Sequence, residues 1–308
     1  MGFSEEGFAS GWTAIGDSPG SMVHESGMRS SVEFVDLPGG SVFAVVHQPV
    51  ATPDLAMVLC QPVYAEAARN ARRELILAWQ LASVGITAAR FNYRGAGHSS
   101  GRADRITFAD MVDDAVEVAR WLQEEWGQKR VGFIGTRLGA LVAVAAAKAH
   151  PGSPLVLWEP PPDMDRYYAE VFRARMIGLV KQGKRMPPGK GLLDQFARDG
   201  VLDVLGSPLA HSLYLSTKDL ELGELLERAG PRPTSIIQMT VKQEIRPSLK
   251  GVLSRRAAAG HAIEASTIPY DEAWWFGAAG HGPVVETKLS AMEAVPRTVD
   301  FLLGATHE

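Results

Sequence analysis

Val131-Gly132-Phe133-Ile134-Gly135-Thr136-Arg137-Leu138-Gly139-Ala140 decides the fold. An apolar run that reads as a buried strand gives way within three residues to Leu138-Gly139-Ala140-Leu141-Val142-Ala143-Val144, a stretch with the look of a buried helix. A strand that becomes a helix so abruptly needs a sharp bend. Gly135 and Gly139 flank its apex because strand and helix approach too closely there for side chains, and the apex residue takes a strained backbone. Strand, sharp turn and helix together are the setting of a nucleophile elbow, whose apex is normally Ser, Cys or Asp. Here the apex is Arg137, and a guanidinium stays protonated and cannot attack a carbonyl.

On either side of this stretch, apolar strands alternate with segments of helical period. Leu55–Cys60, Ile86–Asn92, Arg130–Gly135 and Pro154–Trp158 are the strands; Ala65–Val84, Phe108–Trp126 and Leu138–His150 are the helices between them. Uninterrupted apolar strands mean a parallel sheet covered on both faces, an α/β fold. Val32–Asp36 and Val42–His47 flank Leu37-Pro38-Gly39-Gly40-Ser41 as an antiparallel hairpin would. The Gly- and Ser-rich residues 1–30 read as a loose lead-in, with order starting near Ser31. From 161 to 233 the strand signal disappears, and helical pieces broken by Pro187-Pro188-Gly189 and Gly206-Ser207-Pro208 suggest a helical lid. Strand–helix alternation resumes over 234–308, so 31–160 and 234–308 form one core.

Composition narrows the function classes. The 308 residues are 46% hydrophobic and 21% charged with net charge −4, an ordinary globular balance that lacks the overall basic charge typical of nucleic-acid binding. One cysteine, Cys60, excludes an intrachain disulfide and a multi-cysteine metal site, and suits a cytoplasmic location. No run of about 18 apolar residues predicts a transmembrane span, and Glu5, Glu6 and Asp17 occupy a stretch where a signal peptide would be basic and then apolar. Neither a cofactor nor a metal is predicted, and a homodimer is left open.

Loops after parallel strands are where such sheets place ligands. After Ile236–Val241 comes Glu244, and after Ala262–Ile268 comes His281 in Gly277-Ala278-Ala279-Gly280-His281-Gly282, which preserves the chain order apex, acid, histidine. Each has a plainer reading: Glu244 beside Lys242 and Arg246 as a solvated loop, His281 as a loop histidine without a task. Gly97-His98-Ser99-Ser100-Gly101 matches the letters of G-x-S-x-G, yet a polar loop separates it from the next helix, whose natural N-cap is Thr107. Ser99 is therefore only the runner-up nucleophile.

The bend, the Arg94-Gly95-x-Gly97-x-Ser99 loop and the late Gly280-His281 pair resemble the α/β-hydrolase superfamily. More narrowly, the chain is similar to the second hydrolase-like protein group associated with the exosortase system, in which an Arg-Leu pair likewise replaces the serine elbow. The matching stretches are Arg137-Leu138-Gly139-Ala140-Leu141, Pro62-Val63-Tyr64-Ala65-Glu66, Leu157-Trp158-x-Pro160, Phe172-Arg173-Ala174-Arg175, Leu202-Asp203-Val204-Leu205-Gly206 and Trp274-Trp275. The His281 loop departs from that group's pattern. The resemblance implies an α/β-hydrolase fold with a helical lid, and an oxyanion pocket made by the backbone N–H groups of Leu138 and Val63.

Arg137 beside those donors at a helix N-terminus would be an anion receptor for a carboxylate, phosphate or enolate-like oxygen. His281 held by Glu244 would act as general base on water or substrate without a covalent intermediate, and Trp275 would line the pocket. The expected substrate is a small anionic or carbonyl-bearing molecule, an ester, thioester or acyl group, free or carrier-bound. The alternative is an inactive binding or accessory protein using the same pocket. Arg137 itself has a structural alternative, buried against an acid such as Glu66 or Glu159. The basic residues Arg173, Arg175, Lys181, Lys184, Arg185 and Lys190 suggest either a docking face for an acidic partner or an ordinary solvated helix.

Overall fold

Residues 12–14, 20–51, 54–181, 183, 189–240, 242–269 and 292–306 are described by the structure, a computed structural model. Its strands are β1 (Trp12–Ala14), β2 (Ser21–His24), β3 (Arg29–Leu37), β4 (Gly40–Gln48), β5 (Leu55–Cys60), β6 (Thr87–Phe91), β7 (Arg130–Thr136), β8 (Leu155–Trp158), β9 (Val201–Val204), β10 (Ser207–Ala210), β11 (Thr234–Met239) and β12 (Ile263–Ile268). The helices are α1 (Ala65–Ser83), α2 (Phe108–Trp126), α3 (Leu138–Ala147), α4 (Met164–Lys181), α5 (Gly189–Asp199), α6 (His211–Thr217), α7 (Leu222–Ala229), α8 (Pro247–Ala258) and α9 (Ala294–Thr306).

Ten strands form one mixed sheet in the order β1-β2-β3-β4-β6-β5-β7-β8-β11-β12. Neighbours pair antiparallel from β1 through β4 to β6 and parallel from β6 through β5 to β12. All side chains of β5, β8 and β11 are buried, as expected of strands covered on both faces. The crossover from β5 runs to β6 on one side and the sheet continues to β7 on the other, so the topological switch point lies at the C-terminal end of β5.

Two expectations need correction. Order begins before Ser31, because β1 and β2 extend the sheet edge by pairing Trp12 with His24 and Ser21 with Ser31. The 161–233 segment also holds strands: β9 and β10 pair across the two-residue turn Leu205-Gly206, both with positive φ (54° and 88°). That turn geometry suits the right-handed twist of a hairpin, whereas the Gly206-Ser207-Pro208 triplet reads in sequence as a helix break. Helices α4, α5, α6 and α7 occupy the rest of the segment.

Helix α2 shows how local sequence fixes a boundary. Thr107 Oγ1 accepts from the Asp110 N–H at 3.2 Å, while Asp110 Oδ2 accepts from the Thr107 N–H at 2.8 Å, a reciprocal capping box. The buried face is Met111, Ala115, Val118, Ala119 and Leu122, and Gly127 ends the helix at φ 66°. Replacing Thr107 by Ala is expected to lower stability by about 1 kcal/mol, read as a drop in thermal midpoint. Among the described residues no helix is long and apolar enough to cross a membrane.

Candidate functional site

The bend after β7 has the backbone that the sequence requires. Arg137 sits at φ 54°, ψ −124°, in a region a side chain rarely adopts, and α3 starts at the next residue. The Arg137 N–H donates to Trp158 O at 3.0 Å, which ties the apex to β8. A Cβ on Gly135 would fall on the Gly139 carbonyl and on Ala140, and a Cβ on Gly139 would fall on the carbonyls of Cys60 and Gln61. Both glycines are therefore required by close approach of β7, α3 and the end of β5.

The side chain of Arg137 is almost wholly buried, 4% exposed. Its Nε donates to Glu66 Oε1 at 3.1 Å and its Nη2 to Glu170 Oε2 at 2.8 Å, and the guanidinium carbon lies 5.0 Å from the centre of the Tyr167 ring. Burial alone would favour loss of its proton, but Glu66 and Glu170 override that and hold the guanidinium charged. Burial pushes the Glu66 carboxyl above its ordinary value, against the pull of Arg137. Tyr167 OH donates to the other Glu66 oxygen at 3.3 Å. The structural pairing with Glu66 is thus present, and the Arg137 guanidinium holds two carboxylates, Glu66 and Glu170.

Glu159, at the end of β8 with φ 47°, is also fully buried. It accepts from the Met239 N–H at 2.6 Å and pairs with Arg246; burial raises its carboxyl pKa, while Arg246 and Arg137 oppose the rise. The side chain of Glu244 is exposed, and its backbone carbonyl accepts from Gln238 Nε2 at 3.0 Å. The neighbouring Arg246 N–H donates to Gln238 Oε1 at 2.8 Å, so Gln238 fixes this loop from both sides. His281, Trp274 and Trp275 lie outside the described residues.

Beside the bend, a cavity of about 280 Å³ opens over the ends of β5 and β6, walled by Gln61, Val63, Tyr64, Tyr93, Ile106 and Leu213. Val63 is on its wall, whereas Leu138 is fully buried and, like Arg137, is not on it. The start of α1 is shared between the two features, with its N-cap residue Tyr64 and Ala67 on the cavity wall and Glu66 bonded to Arg137. Beneath lies Cys60, whose thiol burial pushes up into an unreactive range.

Ser99 is engaged in holding the chain. Its hydroxyl donates to Asn92 O at 2.6 Å and accepts from the Phe43 N–H at 2.9 Å, while Gly97 at φ 55° leaves room for the Asn92 side chain. Arg94 anchors the same loop to α2 through Asp114, Nε to Oδ1 at 2.6 Å. Of the six basic residues singled out on 161–233, Arg173 and Lys181 are exposed and Arg175 bonds the Asp203 carbonyl, while Lys184, Arg185 and the Lys190 side chain lie outside what the structure describes. Sequence spacing does not mark Glu170 as a site residue, because four positions after Arg166 it reads as half of a surface ion pair. Among the described residues no group of three His, Cys, Asp or Glu side chains converges as metal ligands would.

The family model described as Hydrolase_4, serine aminopeptidase, S33 matches residues 54–199. Two uncharacterized proteins of Mycobacterium tuberculosis, from strains H37Rv and CDC 1551, are each 35% identical over 94 residues, 30% of this chain. That match spans 32% of their own length, about a third. Among solved structures, Est1E from Butyrivibrio proteoclasticus with ferulic acid bound superposes with a TM-score of 0.59 at 16% identity, covering 90% of this chain and 100% of Est1E. DcsB in complex with its substrate analogue gives 0.57 at 14% identity over 90% of this chain and 99% of DcsB. XC6422 from Xanthomonas campestris, an a/b serine hydrolase without lid, gives 0.51 at 18% identity over 90% and 94%. The mixed sheet with its covering helices, the hydrolase family model and these structural neighbours together establish that this chain has the α/β-hydrolase fold.

Proposed function

We propose that this protein is a hydrolase-like enzyme that binds a small carbonyl-bearing substrate in the cavity over the C-terminal ends of β5 and β6 and acts on it without an acyl-enzyme. The observation that carries this reading is Arg137 at φ 54°, ψ −124°: the bend keeps an elbow's strained backbone while its apex side chain is an ion-paired guanidinium. In this reading the α4–α7 segment is a lid, the N–H groups of Leu138 and Val63 form the oxyanion pocket, and His281 is the general base oriented by Glu244. Trp275 lines the same pocket. Positioned acid–base catalysis of this kind contributes about 10²–10⁴ in rate. The Arg137-Leu138 pair also supports the narrower likeness to the exosortase-associated group.

The test is a fluorophosphonate probe together with turnover of short acyl esters and thioesters. The expected result is turnover that His281→Ala lowers at least about 100-fold, with no stoichiometric phosphonylation. Ser99→Ala is expected to leave turnover unchanged while lowering stability by about 1–3 kcal/mol, since the Phe43 N–H and Asn92 carbonyl lose their partner. A covalent adduct on a hydroxyl, or turnover indifferent to His281, refutes the mechanism. The exposed side chain of Glu244 favours a second reading, an accessory protein that binds a ligand without turning it over. In that case His281→Ala leaves ligand affinity intact and no acyl substrate is consumed.

A further inference from the structure

Two carboxylates meet one guanidinium at the bend, and they are held very differently. Glu66, 1% exposed, belongs to α1 and is fixed by both Arg137 and Tyr167. Glu170 reaches in from α4, remains 29% exposed, and its other oxygen accepts from Arg166 Nε at 3.4 Å, where Arg166 is itself 60% exposed. The Nη2 edge of Arg137 therefore faces the seam between α4 and the core, while its Nε edge faces the interior.

Charge makes the second carboxylate exchangeable. One guanidinium balances one carboxylate, and Glu66 is the partner that cannot leave. Glu170 can swing out to water with Arg166 beside it, and an incoming monoanion would take its place with no change in the net charge of the buried cluster. A dianion such as phosphate would add one negative charge next to Glu66 in a poorly solvated site, which disfavours it. The edge already holds one carboxylate oxygen, Glu170 Oε2 on Nη2 at 2.8 Å, and a planar carboxylate is the group that a guanidinium matches best.

We propose that the Nη2 edge of Arg137 is a carboxylate subsite in which Glu170 is the resident occupant, displaced when a substrate carrying its own carboxylate enters. This rests on the reading of the neighbouring cavity as the substrate site. The cavity beside Val63 and Tyr64 takes the apolar part of such a molecule, and two of its wall residues, Tyr64 and Ala67, flank Glu66, the buried partner of Arg137. The substrate class is then a small monocarboxylate bearing a second, reacting carbonyl, such as a half-ester or an oxo acid.

The sign of one substitution separates this from a purely structural ion pair. Glu170→Gln removes the resident anion, leaves Arg137 paired with Glu66, and changes a part-exposed side chain, so the chain folds. Hexanoate, hexan-1-ol and inorganic phosphate are titrated calorimetrically into the full chain and into Glu170→Gln. Glu170→Gln is expected to bind hexanoate about tenfold more tightly than the unaltered protein, as loss of a competing charged hydrogen bond implies. Hexan-1-ol is expected to bind both alike, and phosphate more weakly than hexanoate. Unchanged or weaker hexanoate binding by Glu170→Gln, with hexan-1-ol still bound, overturns the subsite and leaves the cavity reading standing. Binding of neither compound by either protein overturns both, and preference for phosphate overturns the assignment to carboxylates.

Discussion

Arg137→Met is expected to cost about 3–5 kcal/mol at neutral pH, because it leaves Glu66 charged in the interior without its guanidinium partner, beside the Tyr167 hydroxyl. The loss should depend on pH in a definite direction. Burial raises the Glu66 carboxyl above its ordinary 4.5 even with Arg137 in place, so the folded form binds that proton more tightly than the unfolded chain. A group of this kind takes stability away as pH rises from the unfolded value through the folded one. Without Arg137 the folded value rises further, the window widens upward, and the penalty grows across it. Urea denaturation followed by tryptophan fluorescence should therefore show a smaller gap between Arg137→Met and the unaltered protein at pH 5 than at pH 7.5. Glu66→Gln placed on the Arg137→Met background should recover a large part of the neutral-pH loss. An equal gap at both pH values would show that Glu66 is not the group left stranded.

The parallel part of the sheet is legible in the sequence because burial on both faces leaves an unbroken apolar run. Leu55–Cys60 has the same bounds in sequence and structure, and the β3–β4 turn at Pro38-Gly39 falls where two strand-like runs meet. The N-terminal strands leave no such trace. Trp12–Ala14 and Ser21–His24 are short and partly exposed, and they are strands because β3 offers β2 an edge and β2 in turn offers one to β1. The β9–β10 hairpin is hidden for the same reason, with four residues a side and Pro208 inside it. At the site, the apex and its glycines can be read from spacing alone, and Glu66 is a natural buried partner for a guanidinium. Glu170 is not recoverable that way, since it comes from another helix 33 positions away and its i,i+4 partner Arg166 disguises it as surface. Spacing within one chain segment reports local geometry, whereas the charge pairing at Arg137 is created by α4 folding over the bend.

Gly139→Ala is the second large effect, and propensity alone predicts the wrong sign for it. Gly139 lies in the first turn of α3, where Ala in place of Gly would by helix preference stabilise by up to about 1 kcal/mol. A methyl there would occupy the space of the Cys60 and Gln61 carbonyl oxygens, far inside contact distance. Those are backbone atoms at the end of the buried strand β5, so they can retreat only by moving the strand, and the cost should be about 3 kcal/mol or more. Gly251→Ala in α8 is the matched control, because a Cβ there meets nothing within 4 Å. It should raise the thermal midpoint slightly while Gly139→Ala lowers it by many degrees. Were both substitutions to stabilise, α3 would not be pressed against the end of β5, and the bend that places Arg137 between Glu66 and Glu170 would have no steric cause.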